Sequence, residues 1–252
     1  METNLRVWFP QRVALNSAKI RLVCLPYAGG GSAIFNNWQR LLGDRIEVCA
    51  VQLPGRASRS REMPYRTLEP LAAELAKVLS GLCDLPAALF GHSLGALIAF
   101  AVARELEKTS RVQLVRLLVS GRRAPHCPRR DEPVTGLSDE QFIDRLRLIN
   151  GTPEAILSDQ DFMNAALPML RADFELNDRY TFIQGKLRVP LSVFGSTQDR
   201  EINADDLAAW RDITEAACNV LMFPGDHFFI HAYEPLLLGA VAEELATGPG
   251  SN

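Results

Sequence analysis

The chain has 252 residues, of which 47% are hydrophobic, and its formal net charge is −3. This length allows one large domain or two small ones, and the apolar content is enough to bury a sizeable core. The slightly acidic balance gives no sign of bulk nucleic-acid binding. The longest apolar run, Ala96–Ala103, is far too short to span a bilayer, and the first 20 residues lack the apolar region of a secretory signal. We therefore expect a cytoplasmic protein that binds neither nucleic acid nor membrane, and we take a monomer as the default oligomeric state.

The predicted strands are short and apolar throughout, which is typical of strands buried on both faces of a parallel sheet. Helical stretches alternate with them, at about 67–81, 94–107, 204–216 and 234–246. This alternation predicts an α/β fold with right-handed crossovers. The strand candidates are Ile20–Leu25, Ile46–Val51, Ala87–Phe90, Leu114–Ser120, Pro190–Gly195 and Asn219–Phe223.

One segment, at about 125–182, contains no convincing strand. Ser138 and Gln141 form a capping-box pattern, Thr152–Pro153 marks a second helix start, and a longer helix begins near Ser158 with Pro168 expected to kink it. We expect a single domain over residues 1–252 with this segment as a helical lid insertion. Ordinary helical packing without a gating role is the alternative.

A candidate nucleophile lies in the sequence GHSLG, residues 91–95, between a predicted strand and a predicted helix. The pattern G-x-S-x-G in that context is typical of a nucleophile elbow, in which Ser93 occupies a sharp, strained turn. The flanking glycines leave room for the neighbouring strand and helix. The helix that follows favours negative charge at its N-terminus.

A serine needs a base, and the base needs a carboxylate that orients it. His227 follows the last predicted strand, and Asp199 follows the strand before it, which gives the serine–acid–histidine order of α/β-hydrolases. His231 is the alternative base. The alternative acids are Asp226, Glu201, Asp205 and Asp206.

Acyl transfer also needs an oxyanion hole, for which we expect two backbone amides. One belongs to Leu94, the residue after the nucleophile, and the other to Ala28, in the loop LPYAGGGSAIF after the first strand. Gly29–Gly31 would let backbone and substrate approach closely. The loop lacks the ending of a phosphate-binding loop, and a merely flexible turn is the other interpretation.

Seven motifs resemble those of the type II thioesterases, the stand-alone editing hydrolases that accompany polyketide synthases and non-ribosomal peptide synthetases. They occur in order across nearly the whole chain: PYAGGG (26–31), LPGR (53–56), GHSLGA (91–96), SGRRAP (120–125), LSDEQF (137–142), PMLRADF (168–174) and GDHFF (225–229). In that family the triad matches Ser93, Asp199 and His227. Leu94 in place of the commoner methionine, and Tyr27 where histidine or phenylalanine is frequent, are departures that bear on the acyl pocket.

The resemblance implies an α/β-hydrolase that cleaves acyl thioesters from the phosphopantetheine arm of acyl or peptidyl carrier proteins through a serine acyl-enzyme. The substrate carries the phosphopantetheine, so no cofactor or metal is expected, and the five scattered cysteines form no C-x-x-C pair. An esterase or lipase for oxygen esters, a cyclising thioesterase and a catalytically silent binding scaffold remain alternatives.

Further residues are expected to contact the substrate or its carrier. Carrier proteins are usually acidic, and arginines after two strands would form a positive rim, with scattered solvated arginines as the alternative. Insertion residues would line an acyl tunnel or belong simply to the core. The expected docking residues are Arg56, Arg59, Arg122 and Arg123, and the expected substrate contacts are Tyr27, Gly29, Phe162, Met163 and Phe174.

Overall fold

A six-stranded, fully parallel sheet lies at the centre of the protein, with strand order β2-β1-β3-β4-β5-β6. The computed structural model describes residues 2–109, 112–130, 132–149 and 151–247. The strands are β1 Ile20–Leu25, β2 Ile46–Ala50, β3 Ala87–His92, β4 Leu114–Ser120, β5 Leu191–Ser196 and β6 Cys218–Phe223. This alternation of parallel strands and helices confirms the α/β fold that the sequence predicted.

Helices cover both faces of the sheet. The helices are α1 Glu2–Trp8, α2 Trp38–Leu42, α3 Leu68–Ser80, α4 Leu94–Thr109, α5 Asp139–Ile149, α6 Glu154–Leu157, α7 Gln160–Asp178, α8 Ala204–Ala208, α9 Phe229–Ala232 and α10 Glu234–Ala246. Apolar residues of α3 and α4 pack on one face, and those of α2 and α10 pack on the other. Because both faces are covered, β3 is buried over its whole length.

One predicted helix is shorter in the structure than the sequence indicated. Instead of running over 204–216, the chain forms α8, capped by reciprocal hydrogen bonds between Asn203 and Asp206, and then a 3₁₀-helix over Ala209–Ile213. Trp210 is fully buried there and donates through Nε1 to the carbonyl oxygen of Arg122. Burial of this large side chain sets the local path more strongly than helix propensity does.

Between β4 and β5 the chain forms α5, α6 and α7 across the carboxyl end of the sheet. These helices share a small apolar cluster of their own, separate from the two clusters that flank the sheet. The capping box of α5 is present, since Ser138 and Gln141 exchange hydrogen bonds of 2.9 and 3.2 Å. Helix α7 continues through Pro168, where the sequence predicted a kink, from Gln160 to Asp178.

Candidate active site

A cavity of about 460 Å³ lies between the carboxyl end of the sheet and helices α5–α7. Its wall combines the loop after β1, the turn after β3, the loop after β4 and side chains of the insertion. Ligands of open α/β sheets bind at this end of the strands. The cavity is therefore the candidate active site.

Ser93 lies in a strained turn between β3 and α4. Its φ angle is +53°, a conformation that non-glycine residues rarely adopt, and its backbone N–H donates to the carbonyl oxygen of Ser120 over 2.8 Å. A Cβ on Gly91 would lie 2.1 Å from the carbonyl oxygen of Gly95, and a Cβ on Gly95 would lie 2.1 Å from that of Leu25. Both glycines are thus required for the turn to approach the neighbouring backbone.

We expect Gly95→Ala to destabilise the protein by about 1–3 kcal/mol, because the new methyl group meets backbone that cannot rotate away. Gly239→Ala is the matched control: Gly239 lies inside α10 and a Cβ there meets nothing within 4 Å. Alanine should stabilise that helix by roughly 0.5–1 kcal/mol. Thermal or urea unfolding of both variants checks this, and equal stabilities would contradict the close packing at Gly95.

Asp199 and His227 are joined by a hydrogen bond of 2.8 Å between Oδ2 and Nδ1. The Asp199 side chain is only 1% exposed, and its Oδ1 also accepts from the backbone N–H groups of Glu201 and Ile202. These bonds fix the carboxylate, which in turn orients the imidazole. With Nδ1 engaged, Nε2 is the ring nitrogen left to exchange a proton with a substrate or a hydroxyl group.

The alternative base and acids have other partners or positions. His231 Nε2 lies 2.9 Å from the hydroxyl oxygen of Tyr27. Asp206 caps α8 and forms an ion pair with Arg130 at 2.7 Å. Asp226 accepts from the backbone N–H of Phe228, and Asp205 is exposed in the first turn of α8.

Ser93 and His227 both line the cavity, and His227 is 8% exposed. Among the hydrogen bonds that the structure describes, none joins these two residues. Catalytic hydrogen bonds are often long before substrate binds and tighten in the reacting complex. The arrangement therefore brings the imidazole to the same cavity as the hydroxyl without closing the contact between them.

The pKa of His227 is raised above its ordinary value. Burial alone would lower it, but the hydrogen bond and negative charge of Asp199, with smaller contributions from Glu201 and Asp226, outweigh burial. A raised pKa in the folded state means that protonated His227 stabilises the fold below the ordinary imidazole pKa. That contribution is lost as the pH rises through the raised value.

We expect kcat/KM for thioester hydrolysis to rise with pH through a pKa above the ordinary imidazole value of about 6.5, because His227 must be neutral to accept a proton. The pH profile of kcat/KM with an uncharged acyl thioester measures this. If the acid limb of the profile has a pKa at or below the ordinary imidazole value, Asp199 does not stabilise protonated His227 in the free enzyme.

A second histidine, His92, lies beside the site but is fully buried. Its Nδ1 is 2.9 Å from Ser120 Oγ, and its ring centre is 5.1 Å from that of His227. Burial, with the nearby charges of His227 and His231, holds the pKa of His92 well below its ordinary value. It is therefore a neutral packing residue.

The residues predicted to form the oxyanion hole and the acyl tunnel all lie on the cavity wall. Leu94 begins α4, where backbone N–H groups of the first turn have no acceptor inside the helix. Met163 is buried in the insertion's apolar cluster, whereas Phe162 is half exposed. The predicted residues found on the wall are Tyr27, Ala28, Gly29, Leu94, Phe162, Met163 and Phe174.

Two of the four expected docking arginines do not form an exposed surface, so that expectation was wrong for Arg56 and Arg59. Arg56 is 8% exposed and makes a bidentate ion pair with Asp173. Arg59 is 7% exposed, pairs with Glu62, and lies over the ring of Trp8. The run of arginines in the sequence gave no sign that these two would find partners inside the fold.

The other two arginines, Arg122 and Arg123, follow β4 and line the cavity. Arg122 donates through Nη2 to Asn177 on α7 over 2.5 Å. Burial, together with the neighbouring charge of Arg123, lowers the pKa of Arg122 to about 10, so it stays charged at neutral pH.

The sequence gave no indication of a role for Asp173, although this residue lies within the motif PMLRADF.

The described part of the chain contains neither a metal-binding cluster nor a membrane-spanning helix. No group of three or more His, Cys, Asp or Glu residues there could hold a metal ion. Within the same residues, no helix combines the length and apolar character needed to cross a membrane.

The parallel sheet, the strained serine turn after β3 and the Asp199–His227 pair after β5 and β6 define a protein of the α/β-hydrolase fold. The profile of the family described as "Thioesterase domain" matches residues 20–247. The chain belongs to this family and is a hydrolase that acts on thioesters, so the resemblance to type II thioesterases is confirmed.

Individual relatives agree with this assignment. Gramicidin S biosynthesis protein GrsT of Aneurinibacillus migulanus is 42% identical over 225 residues, covering 89% of this chain and 88% of GrsT. The type II thioesterase BorB from the borrelidin biosynthetic cluster superposes with a TM-score of 0.85 at 36% identity, covering 95% of this chain and 98% of BorB. RedJ, from the prodiginine pathway of Streptomyces coelicolor, gives a TM-score of 0.83 at 37% identity over 95% and 93% of the two chains.

Proposed function

We propose that this thioesterase hydrolyses acyl thioesters on the phosphopantetheine arm of acyl or peptidyl carrier proteins in polyketide or non-ribosomal peptide biosynthesis. It would thereby proofread the carriers or release acyl groups from them. The similarity to GrsT, BorB and RedJ, named for the biosynthesis of gramicidin S, borrelidin and prodiginine, supports this substrate class, as does the similarity to YbtT, named as a type II thioesterase of an NRPS/PKS pathway. The observation that carries the chemistry is the Asp199–His227 hydrogen bond in the cavity that Ser93 lines.

In the proposed mechanism, His227 takes the proton of Ser93 as the serine oxygen attacks the thioester carbonyl. The backbone amides of Ala28 and Leu94 stabilise the oxyanion that forms. The C–S bond then breaks, the pantetheine thiol leaves with a proton from His227, and the acyl group stays on Ser93. Water activated by the same histidine hydrolyses this acyl-enzyme and returns the serine. Asp199 stabilises the imidazolium in both steps, and no cofactor takes part.

The arm of the carrier would enter the cavity from its open side, with the acyl chain directed toward the insertion. Phe162, Met163 and Phe174 supply apolar surface suited to an acyl chain, and Arg123 supplies a partly exposed cation on the cavity wall for an acidic carrier. The helical insertion at about 125–182 would act as the covering lid of this single domain.

The test is intact-mass measurement of a panel of acylated carrier proteins before and after exposure to the enzyme, with matched oxygen esters in parallel. We expect loss of the acyl mass from the carriers, with free acid as product, and little action on the oxygen esters. Preferential cleavage of the oxygen esters would contradict the proposal and indicate an esterase instead. A cyclic product would indicate a cyclising thioesterase.

A further inference from the structure

A buried ion pair connects two parts of the chain that are 117 residues apart. Arg56, in the loop after β2, donates through Nη1 and Nη2 to the two carboxylate oxygens of Asp173 on α7, over 2.7 and 2.6 Å. Arg56 is 8% exposed and Asp173 is 1% exposed. The planar fork of arginine suits this bidentate geometry, which lysine does not reproduce.

The same two side chains also bond to the loop that carries Ala28. Asp173 Oδ2 accepts from the backbone N–H of Gly29 over 2.8 Å, and Arg56 Nη1 donates to the carbonyl oxygen of Gly30 over 3.0 Å. The peptide group between Ala28 and Gly29 and the one between Gly30 and Gly31 are therefore both engaged, immediately after Ala28. Gly29 has a φ of +79°, and a Cβ there would lie 2.8 Å from Leu170 of α7, so the loop also packs tightly against that helix.

Stability alone is a weak explanation for this arrangement. Removing two charges from water is costly, and well-packed apolar residues of similar volume often stabilise a fold as well as a buried ion pair does. What apolar residues cannot supply is a hydrogen bond to Gly29 N–H and to the Gly30 carbonyl oxygen. The pair is thus suited to fixing the backbone of this loop in one conformation.

We propose that Arg56 and Asp173 are positioning residues that hold the loop over residues 27–31 so that the Ala28 amide points at the developing oxyanion. This inference rests on the proposed function, since it assigns Ala28 to the oxyanion hole of that reaction. Neither side chain exchanges a proton with the substrate. They act through the loop, and they make the oxyanion hole depend on the placement of α7.

The test compares kcat and KM for an acyl-carrier thioester in three variants: Arg56→Met, Asp173→Leu and the double variant Arg56→Met/Asp173→Leu. Each single variant leaves one buried charge without its partner and should lower the thermal midpoint. The double variant should recover much of that midpoint. Its kcat should nevertheless stay about 10- to 100-fold below wild type with KM nearly unchanged, because the loop loses its fixed position.

A second readout separates positioning from folding. An alkyl boronic acid forms a tetrahedral adduct with a serine and places an oxygen in the oxyanion hole, so its affinity should fall in parallel with kcat. Arg56→Lys keeps a charge beside Asp173 and serves if the double variant does not fold; we expect roughly a 10-fold loss of kcat from its poorer geometry. The inference is overturned if a folded double variant, or Arg56→Lys, keeps the kcat and the boronate affinity of wild type.

Arg66→Met is the matched control. Arg66 also pairs across to α7, with Glu175 at 2.5 Å, but it makes no hydrogen bond to residues 27–31 among those the structure describes. Its kcat should stay within about twofold of wild type, as expected for a partly exposed ion pair. A wild-type enzyme without activity on any carrier thioester would refute the proposed function, whereas active wild type with equally active variants refutes only the positioning role.

Discussion

Ser93→Ala should abolish turnover of acyl-carrier thioesters, with a loss of about 10⁶-fold in kcat by comparison with other serine hydrolases. Ser93 Oγ is the group that would attack the carbonyl, and alanine has no nucleophile to replace it. Alanine and serine pay a similar cost for the φ of +53° at this turn. The thermal midpoint should therefore stay close to that of wild type.

Single-turnover hydrolysis and labelling by a fluorophosphonate probe measure this loss. Wild type should form one covalent adduct, detected by intact mass and located on Ser93 by peptide mapping, and the variant should form none. Turnover near the wild-type rate in Ser93→Ala would refute the acyl-enzyme mechanism on this serine. Labelling of a residue other than Ser93 would show that this other residue is the nucleophile.

Asp199→Asn should lower kcat by about 10⁴-fold, the loss seen when an asparagine holds a catalytic histidine in the wrong tautomer. The asparagine amide can donate to Nδ1 of His227, which would place the ring proton on Nε2, where a base must be free. The variant also loses the negative charge that raises the pKa of His227. Its remaining activity should therefore show an acid limb at lower pH than wild type.

The control for this variant is Asp205→Asn, which removes the same charge from an exposed position at the start of α8. Its pH profile and kcat should match those of wild type within about twofold, as expected for a surface substitution away from the site. An unchanged acid limb in Asp199→Asn would show that another group sets the pKa measured in the profile.

The sheet could be predicted from the sequence because its strands are continuous apolar runs that alternate with helices, and parallel strands need such crossovers. The meeting of Asp199 and His227 was predictable for a related reason. Both follow strands that lie side by side in the sheet, and the carboxyl ends of parallel strands meet at one edge. Chain order alone therefore pointed to the contact that the structure describes.

The partners of Arg56 and Arg59 could not be predicted in this way. An arginine in a polar segment gives no local signal of burial, because its usual place is the surface. Asp173, the partner of Arg56, lies on a helix of the insertion. The position of that helix over the sheet follows from tertiary packing and not from periodicity. The motifs LPGR and PMLRADF contain Arg56 and Asp173, respectively, but no spacing rule linked one residue to the other.

The insertion over the sheet has a consequence for how this enzyme could change its acyl preference. Most of the apolar wall comes from residues between β4 and β5, while the proposed nucleophile, base and acid come from elsewhere in the chain. Under the proposed function, acyl selectivity and reactivity would be encoded in largely separate stretches. Grafting the segment between β4 and β5 from one relative to another would then exchange the acyl preference and leave the proposed catalytic residues in place. The donor segment would have to supply a carboxylate at position 173, because Arg56 of the recipient would otherwise be buried without its ion-pair partner.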